Sequence, residues 1–374
     1  MAIKINGKDL AKRIINGQEV QKVMLNGSQI RPTEIPPTPV SLCFTANTSN
    51  STISFNYSTS GNRRHFEYST DWTTWSDYTI ANILWAWTTL TLSNVWDKVY
   101  FRSKSDSVTS LSGPTWTYKF AMTWSIAASW DVTSLLCKTG ATTLPNYCFY
   151  GLFSGCTALT SAPSLTATTL GENCYREMFR GCTNLVTPPS TLTATAAPYG
   201  CCYGMFYGCS SMTSAPTLPA TTLWDHCYRE MFRGCGSLTY SPSLPATTMA
   251  TQCYLQMFRG CTWLITIAAL PATSLATACY ASMFSWCSSL QQLPALPATS
   301  IPSGSYNSMF SWCTNIKISE TQTWEYQTPY RIPTTWEWTV WTYSLSGMFE
   351  YTWWSFTGTP NINQTYYTSN TIIS

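Results

Sequence analysis

The chain has 374 residues, and its 20 Lys and Arg against 17 Asp and Glu give a formal charge of +3. Only 10% of the residues are charged, against roughly 25% in an average soluble domain, which argues against a general nucleic-acid-binding surface. No apolar run reaches the roughly 18 residues of a membrane span, and the first residues lack the apolar core of a secretory signal.

The first 31 residues contain three Asn-Gly pairs spaced ten residues apart, at Asn6-Gly7, Asn16-Gly17 and Asn26-Gly27. Asn-Gly predicts two-residue hairpin turns, because both turn residues need a positive φ. We expect a small β-meander of four short strands, which would be marginal alone. Residues 1–31 are therefore predicted to anchor the chain to a larger assembly, with an ordinary leading hairpin as the alternative. The proline-rich residues 32–39 predict a stiff linker.

Residues 40–120 predict a β-sandwich-like domain, because short alternating runs are separated by Ser, Asn and Asp clusters. The predicted strands are 42–45, 52–57, 65–69, 88–92 and 99–103. Among the aromatic residues here, Trp72, Trp75 and Tyr78 are expected in the core or beside turns rather than on a glycan platform. Residues 121–140 are predicted to cap the element that follows.

Residues 141–316 repeat the string Cys-Tyr-x-x-Met-Phe-x-Gly-Cys with a period of 26 residues and one interval of 27. The copies run over 148–156, 174–182, 201–209, 227–235, 253–261, 279–287 and 305–313, the last having lost its first cysteine. Between them stands Leu-Thr-Ser-x-Pro-x-Leu-Pro-Ala-Thr. A period of 26 lies within the leucine-rich-repeat range.

Each repeat is predicted to contain a helical piece and a short extended piece. Apolar residues at i, i+4 and i+8 predict the helix, the glycine is a plausible helix stop, and the Pro edges the strand. The predicted fold class is therefore mixed α/β. It comprises a leucine-rich-repeat solenoid of about seven 26-residue repeats, preceded by the β-meander and the β-sandwich-like domain. Residues 317–374 are predicted to form a C-terminal cap with strands.

The string Met-Phe-x-Gly-Cys-x-Ser-Leu-Thr-Ser-x-Pro-x-Leu-Pro-Ala-Thr resembles the BspA-like leucine-rich repeats, which are frequent in surface proteins of gut Bacteroidetes and in the bacteriophages that infect them. The resemblance covers residues 141–316, and residues 121–136 resemble the lead-in of such proteins. It implies a curved solenoid with adhesive or structural roles and no catalytic centre. Fibres of this kind are usually trimers, so the resemblance also implies a homo-oligomer.

Thirteen of the 16 cysteines occupy the two repeat positions. On a continuous helix the two thiols of one repeat would lie roughly 12 Å apart along the axis, too far for a disulfide. A zinc site would need short paired spacings, which the sequence lacks. We therefore predict a buried ladder of small apolar thiols. With only His65 and His226 available, we expect no catalytic residue, no metal and no cofactor.

The charged residues of the repeats concentrate in the Cys-Tyr-Arg-Glu-Met-Phe-Arg copies, which predict a solvated face with a weak basic stripe. The candidate partner-binding surface lies instead on the strand side, where solenoids bind. Its residues are Ile265, Ile267, Gln291 and Leu293. The alternative is that these apolar side chains pack inward or under the C-terminal segment.

Tryptophan is in excess at 18 residues, whereas the 19 glycines fall short of the roughly 26 expected at ~7%. Trp286 and Trp312 stand where five other repeats carry glycine, and Trp224 aligns with Gly171. Tryptophan is a poor replacement where the backbone needs a positive φ. Because UGA specifies glycine in some genetic codes and tryptophan in others, a recoded gene is one hypothesis. Genuine tryptophans at exposed positions are the other.

Together these features predict a non-enzymatic bacteriophage virion structural protein, a tail or head fibre or a decoration protein, assembled in the host cytoplasm. Residues 1–31 would contact other virion proteins, and the repeats would bind a host surface receptor or glycan. We expect no nucleic acid and no membrane span. A bacterial cell-surface adhesin is the alternative. A glycan-cleaving enzyme would need paired carboxylates, and Glu325, Glu337 and Glu350 show no pair spacing.

Overall fold

A computed structural model divides the chain into two compact units, Met1–Pro39 and Val40–Ser374. Before residue 31 the structure describes the residues of six short strands. Beyond them it describes residues 41–57, 65–78, 89–104, 111–112, 118–332, 339–341, 343–354, 356–362 and 364–373.

The first unit consists of three β-hairpins. Its strands are β1 (Ile3–Ile5), β2 (Lys8–Leu10), β3 (Ile14–Ile15), β4 (Gln18–Glu19), β5 (Val23–Leu25) and β6 (Ser28–Ile30). They pair antiparallel as β1–β2, β3–β4 and β5–β6, and each register leaves an Asn-Gly pair between the strands. The structure thus has six short strands where the sequence predicted a meander of four. The Asn-Gly residues themselves lie outside the described residues.

The second unit begins with two β-sheets that pack face to face. Their strands are β7 (Leu42–Ala46), β8 (Ser51–Tyr57), β9 (Phe66–Ser69), β10 (Ser76–Tyr78), β11 (Thr89–Leu92), β12 (Lys98–Ser103), β13 (Tyr118–Met122) and β14 (Ile126–Ser129). One sheet has the order β11-β8-β13. The other has the order β10-β9-β12-β7-β14 and continues into the solenoid, because β14 pairs in parallel with β15 (Leu159–Ser161). Phe44 of one sheet and Phe120 of the other meet edge to face, with ring centroids 4.9 Å apart. All five predicted strands are therefore present, with three more.

The prediction of a mixed α/β fold is wrong. Within the described residues the chain is almost entirely strands and turns, and its one helical element is a four-residue 3-10 helix, Val132–Leu135. In place of each predicted helix lies a run of turns, in which every fourth residue has a positive φ, as at Tyr147, Gly151 and Gly155. A left-handed residue at every fourth position interrupts an α-helix, which needs an unbroken right-handed backbone.

These turn segments are joined to one another by backbone hydrogen bonds. The N–H of Phe149 donates to the Cys174 carbonyl at 2.8 Å, and the N–H of Phe153 donates to the Met178 carbonyl at 2.8 Å. Between them, the Leu152 N–H donates back to Phe149 within its own turn at 3.2 Å. Alternate N–H groups thus bond to the next coil, which satisfies the buried backbone without a helix.

The described residues contain eight such turn segments, one more than the predicted repeats. They are residues 147–155, 173–181, 200–208, 226–234, 252–260, 278–286, 304–312 and 343–351. The eighth lies in the region predicted as a cap, and it accepts the N–H groups of Tyr306 and Phe310 at 2.9 Å each. Short strands lie between the segments: β15 (Leu159–Ser161), β16 (Ala196–Ala197), β17 (Thr222–Leu223), β18 (Gln292–Pro294) and β19 (Ser300–Ile301).

A column of phenylalanines forms the axis of the solenoid core. Successive rings from Phe153 to Phe349 lie nearly parallel, with centroids 5.3–5.7 Å apart. All are buried. Because one coil cannot cover both faces of its own ring, the rings are buried only when coils stack.

The C-terminal residues close the last coils with strands β20 (Lys317–Ser319), β21 (Thr328–Arg331), β22 (Thr339–Val340), β23 (Trp353–Trp354), β24 (Thr365–Thr368) and β25 (Thr371–Ile373). β21, β24, β20 and β23 form one sheet in that order, while β25 pairs in parallel with β18. Among the described residues there is no helix of the length and apolarity that crossing a membrane requires.

Candidate partner-binding surface

The turn segments present a regular outward face. In the first segment Cys148, Phe149, Leu152 and Phe153 are buried, whereas Tyr150, Gly151 and Ser154 are partly exposed and Gly155 is exposed. We call these outward positions and their equivalents in the next four coils the turn face. The turn face includes Arg176, Glu177, Arg180, Tyr203, Tyr207, Arg229, Glu230, Arg233 and Arg259.

Arginines and tyrosines alternate along the turn face in two columns. In one column the guanidinium of Arg176 lies 4.3 Å from the Tyr203 ring centroid, and that of Arg229 lies 5.4 Å from it. The second column repeats the arrangement, with Arg180 and Arg233 lying 4.5 and 5.3 Å from the Tyr207 ring. Cation–π contacts of this kind fix the guanidinium planes over the rings.

The carboxylates of the turn face are already engaged. Glu230, which is 8% exposed, accepts hydrogen bonds from Arg229 Nε at 3.3 Å and Arg233 Nη1 at 3.1 Å. The Tyr203 hydroxyl donates to the same carboxylate at 3.4 Å. Burial, followed by the negative charge of Glu230, raises the pKa of Tyr203. Glu177 accepts from Arg180 at 3.0 Å. With five arginines against these two glutamates, the turn face carries a surplus of positive charge.

Arg259 is in no ion pair within the part of the chain that the structure describes. It lines a shallow depression of about 310 Å³ together with Tyr207, Arg233 and Trp286. Gly234 and Gly260 form the floor, where the missing side chains leave the backbone accessible. The depression therefore combines two guanidinium groups with the rings of Tyr207 and Trp286. The two positive charges suit an anionic ligand.

The residues predicted to bind a partner divide between the surface and the core. Ile267 and Leu293 are buried, at 3% and 0% exposure, whereas Ile265 is 38% exposed and Gln291 is exposed. Leu293 lies in β18, directly beside Ile372 of β25. Two of the four side chains therefore pack inward or under the C-terminal strand, as the alternative reading expected. Ile265 and Gln291 remain beside a polar depression of about 310 Å³ next to Asn370.

The cysteines form two buried columns of free thiols. All 16 are buried and none is in a disulfide, which confirms the predicted thiol ladder. In the second column, seven thiols from Cys156 to Cys313 each donate to the carbonyl oxygen of a phenylalanine in the preceding layer, at 2.9–3.2 Å. Burial raises the pKa of Cys209 and Cys261 to about 12, so these thiols stay protonated and unreactive.

The described residues hold no cluster of three or more His, Cys, Asp or Glu that could bind a metal ion. Glu172 and Asp225 line an open depression of about 580 Å³ with Tyr199 and Trp224. Among the three glutamates noted near the end of the chain, Glu325 pairs with Lys317 at 3.4 Å and Glu350 lies in the eighth turn segment, whereas Glu337 lies outside the described residues.

Sequence reasoning found the arginines of the turn face but missed the tyrosines between them. The signal that finds the columns is the alignment itself, which puts Tyr203 and Tyr207 in register with the arginines of the coils on either side.

No family model matches the chain, and no curated protein matches it. One solved structure with a significant match is a leucine-rich repeat protein of T. pallidum, with a TM-score of 0.31 and 18% sequence identity. The match covers 46% of this chain and 75% of the T. pallidum chain. The assignment of this chain to the leucine-rich-repeat type rests on features of the chain itself, which are the stacked 26-residue coils and their inward-facing leucines.

Proposed function

We propose that this chain is a non-enzymatic binding protein whose turn face holds an acidic polysaccharide. The observation that carries the proposal is the pair of arginine–tyrosine columns. Together with Arg259, their arginines place five partly exposed guanidinium groups on one face, and Arg259 has no acidic partner in the described residues. Because the columns cross successive coils, an extended polyanion can contact several guanidinium groups at once, and multivalent contact raises avidity.

An acidic sugar chain suits this face better than a neutral one. Guanidinium groups bind carboxylate and sulfate through charge-assisted hydrogen bonds, and the glycine floor between Arg233 and Arg259 admits a flat ring against the backbone. The nearby carboxylates, Glu177 and Glu230, are held by arginines, so they present little repulsion to an incoming anion.

The binding test compares polygalacturonate, an acidic polysaccharide, with neutral dextran by isothermal titration calorimetry. We expect the protein to bind polygalacturonate alone, with an affinity that falls as salt is raised. Arg259→Ala should weaken binding several-fold. Lys98→Ala removes the same charge from an exposed residue at the start of β12 in the sandwich and should leave the affinity unchanged. Equal affinity for both polymers, or equal effects of the two variants, would overturn the proposal.

We further propose that the chain acts in a bacteriophage virion, as a homo-oligomeric tail or head fibre or decoration protein. The division into a small hairpin unit, Met1–Pro39, and a large body, Val40–Ser374, supports this role. Isolated two-stranded hairpins are marginal in water, so the small unit gains from binding other virion proteins, while the body is left to face the host.

The virion test expresses full-length chain and a variant lacking residues 1–39 in cells that produce the particles. Full-length chain should co-purify with particles, whereas the truncated chain should stay free and still bind polygalacturonate. Recovery of full-length chain in the cell envelope instead of in particles would contradict the virion role and favour the bacterial adhesin. That outcome would leave the proposed binding of acidic polysaccharide unaffected.

A further inference from the structure

We infer that six tryptophans of this chain occupy glycine positions, and that the native polypeptide carries glycine there. They are Trp72, Trp96, Trp124, Trp130, Trp286 and Trp312, with backbone φ angles between 63° and 74°. An L-residue in this left-handed region places its Cβ against the carbonyl oxygen, whereas glycine adopts the region freely. A bulky residue there is a conformational outlier.

The phenylalanines of the same chain behave in the opposite way. None of the 15 has a positive φ, and 14 of them are buried. By contrast, six of the 11 tryptophans whose side chains are described have a positive φ, and none of the 11 is buried. Tryptophan is a large apolar residue that is highly buried on average. The six tryptophans with a positive φ therefore have the backbone and the exposure of turn glycines.

The repeats supply an internal comparison for two of the six. Gly155, Gly181, Gly208, Gly234 and Gly260 hold one position of the turn segments with φ of 72–76°. Trp286 and Trp312 follow them in the next two coils with φ of 67° and 63°. The backbone hydrogen bonds are also equivalent: Gly260 N–H donates to Ser285 at 2.8 Å, and Trp286 N–H donates to Ser311 at 2.9 Å.

The sandwich supplies independent cases outside the repeat. Trp96 is the third residue of the turn Asn94–Asp97, in which the Asp97 N–H donates to the Asn94 carbonyl at 3.3 Å. A positive φ at the third turn position is the requirement that glycine meets in type II turns. Trp96 and Trp124 are 73% and 71% exposed, so little packing compensates for the strain at either position.

One mechanism accounts for all six positions at once. UGA specifies glycine in one class of genetic code and tryptophan in another, so a gene that uses UGA for glycine gives tryptophan when read with the wrong code. Glycine at these six positions brings the glycine count to 25, close to the roughly 26 expected for a chain of this length. Trp224 has no positive φ, so the backbone argument does not extend to it, although the sequence alignment grouped it with Trp286 and Trp312.

Replacing Trp286 and Trp312 by glycine changes the turn face. Trp286 forms one wall of the depression beside Arg259, and its ring stacks on Trp312 with centroids 4.5 Å apart. With glycine at both positions, the glycine floor continues from Gly155 through seven coils, and the depression opens toward the end of the solenoid. This consequence concerns the surface proposed above for an acidic polysaccharide, whereas the glycine assignment itself is independent of that function.

The direct test is peptide sequencing by tandem mass spectrometry of the chain isolated from its native source, together with the codons of its gene. We expect glycine at all six positions, each encoded by UGA. Tryptophan in the native peptide, or a UGG codon, would overturn the assignment at that position.

A second test measures thermal unfolding of the tryptophan-containing chain. Trp96→Gly and Trp124→Gly should raise the midpoint, because glycine relieves the left-handed strain. Trp263→Gly and Trp324→Gly are matched controls, since these residues are 65% and 86% exposed without a positive φ. The controls should lower the midpoint, because glycine there only adds freedom to the unfolded chain. A fall of equal size in all four variants would contradict the strain argument.

Discussion

The ring of Phe120, in the last strand of the three-stranded sheet, lies parallel to that of Phe153 in the first coil, with centroids 5.2 Å apart. The Phe120 carbonyl also accepts the thiol of Cys156 at 3.0 Å, and its N–H donates to Leu152 at 2.9 Å. Phe120 thus makes the same three contacts as a phenylalanine of the solenoid. The sandwich serves as the layer before the first coil, and the two share one core.

Phe120→Ala is therefore predicted to destabilise the sandwich and the first coil together. Loss of a buried phenylalanine costs about 3–5 kcal/mol, and here it leaves cavities beside both Phe44 and Phe153. We expect a lower midpoint of denaturant unfolding and weaker hydrogen-exchange protection on both sides of the junction. Phe356→Ala, at a partly buried ring near the other end, is the control. Loss of protection confined to the sandwich would contradict the shared core.

Phe206→Ala tests the column inside the solenoid. Its ring lies 5.4 Å from that of Phe179 and 5.7 Å from that of Phe232, so truncation removes two stacking contacts and leaves a cavity. The free energy of unfolding should fall by about 3–5 kcal/mol, with Phe206→Leu costing less because it retains most of the volume. Since coils contact only their neighbours, lost hydrogen-exchange protection should centre on the third coil. Uniform loss along the solenoid would contradict this.

The sequence predicted the repeat, its period and its buried cysteines, but not its backbone. Apolar residues recur every four positions from Cys148 to Cys156, and a run of four-residue turns produces this pattern as well as a helix does. Some left-handed positions carry a residue that signals the turn, as glycine does at 151 and 155 and asparagine at 173. Others, such as Tyr147 and Glu177, carry residues that give no such signal. The alternating arginine and tyrosine columns depend on contacts between coils, so no single repeat could predict them.

The thiol of Cys235 should contribute through its hydrogen bond to the Phe206 carbonyl, which measures 3.2 Å. Cys235→Ala removes this donor and leaves the buried Phe206 carbonyl with the hydrogen bond from the Cys209 N–H, at an expected cost of about 0.5–1.5 kcal/mol. Cys235→Ser keeps a donor of similar size and should cost less than the alanine variant. Chemical denaturation of the three proteins provides the comparison. Equal losses for Ala and Ser would show that the thiol acts by packing alone.

The free energy of unfolding is predicted to fall as the pH rises above the ordinary pKa of a cysteine thiol. Burial raises the pKa of the Cys156, Cys209 and Cys261 thiols to about 12, whereas an unfolded cysteine titrates near about 8.5. Above that pH the unfolded chain releases protons that the folded chain keeps, so the unfolded state gains stability by about 1.4 kcal/mol per pH unit for each thiol. The contribution is complete below about pH 8.5 and is lost progressively toward pH 12.

Urea unfolding at a series of pH values measures how steeply the free energy of unfolding falls with pH. Cys209→Ala should reduce this slope by the contribution of one thiol. A free energy of unfolding that stays constant between about pH 9 and 11 would contradict the thiol ladder as a set of protonated, buried groups.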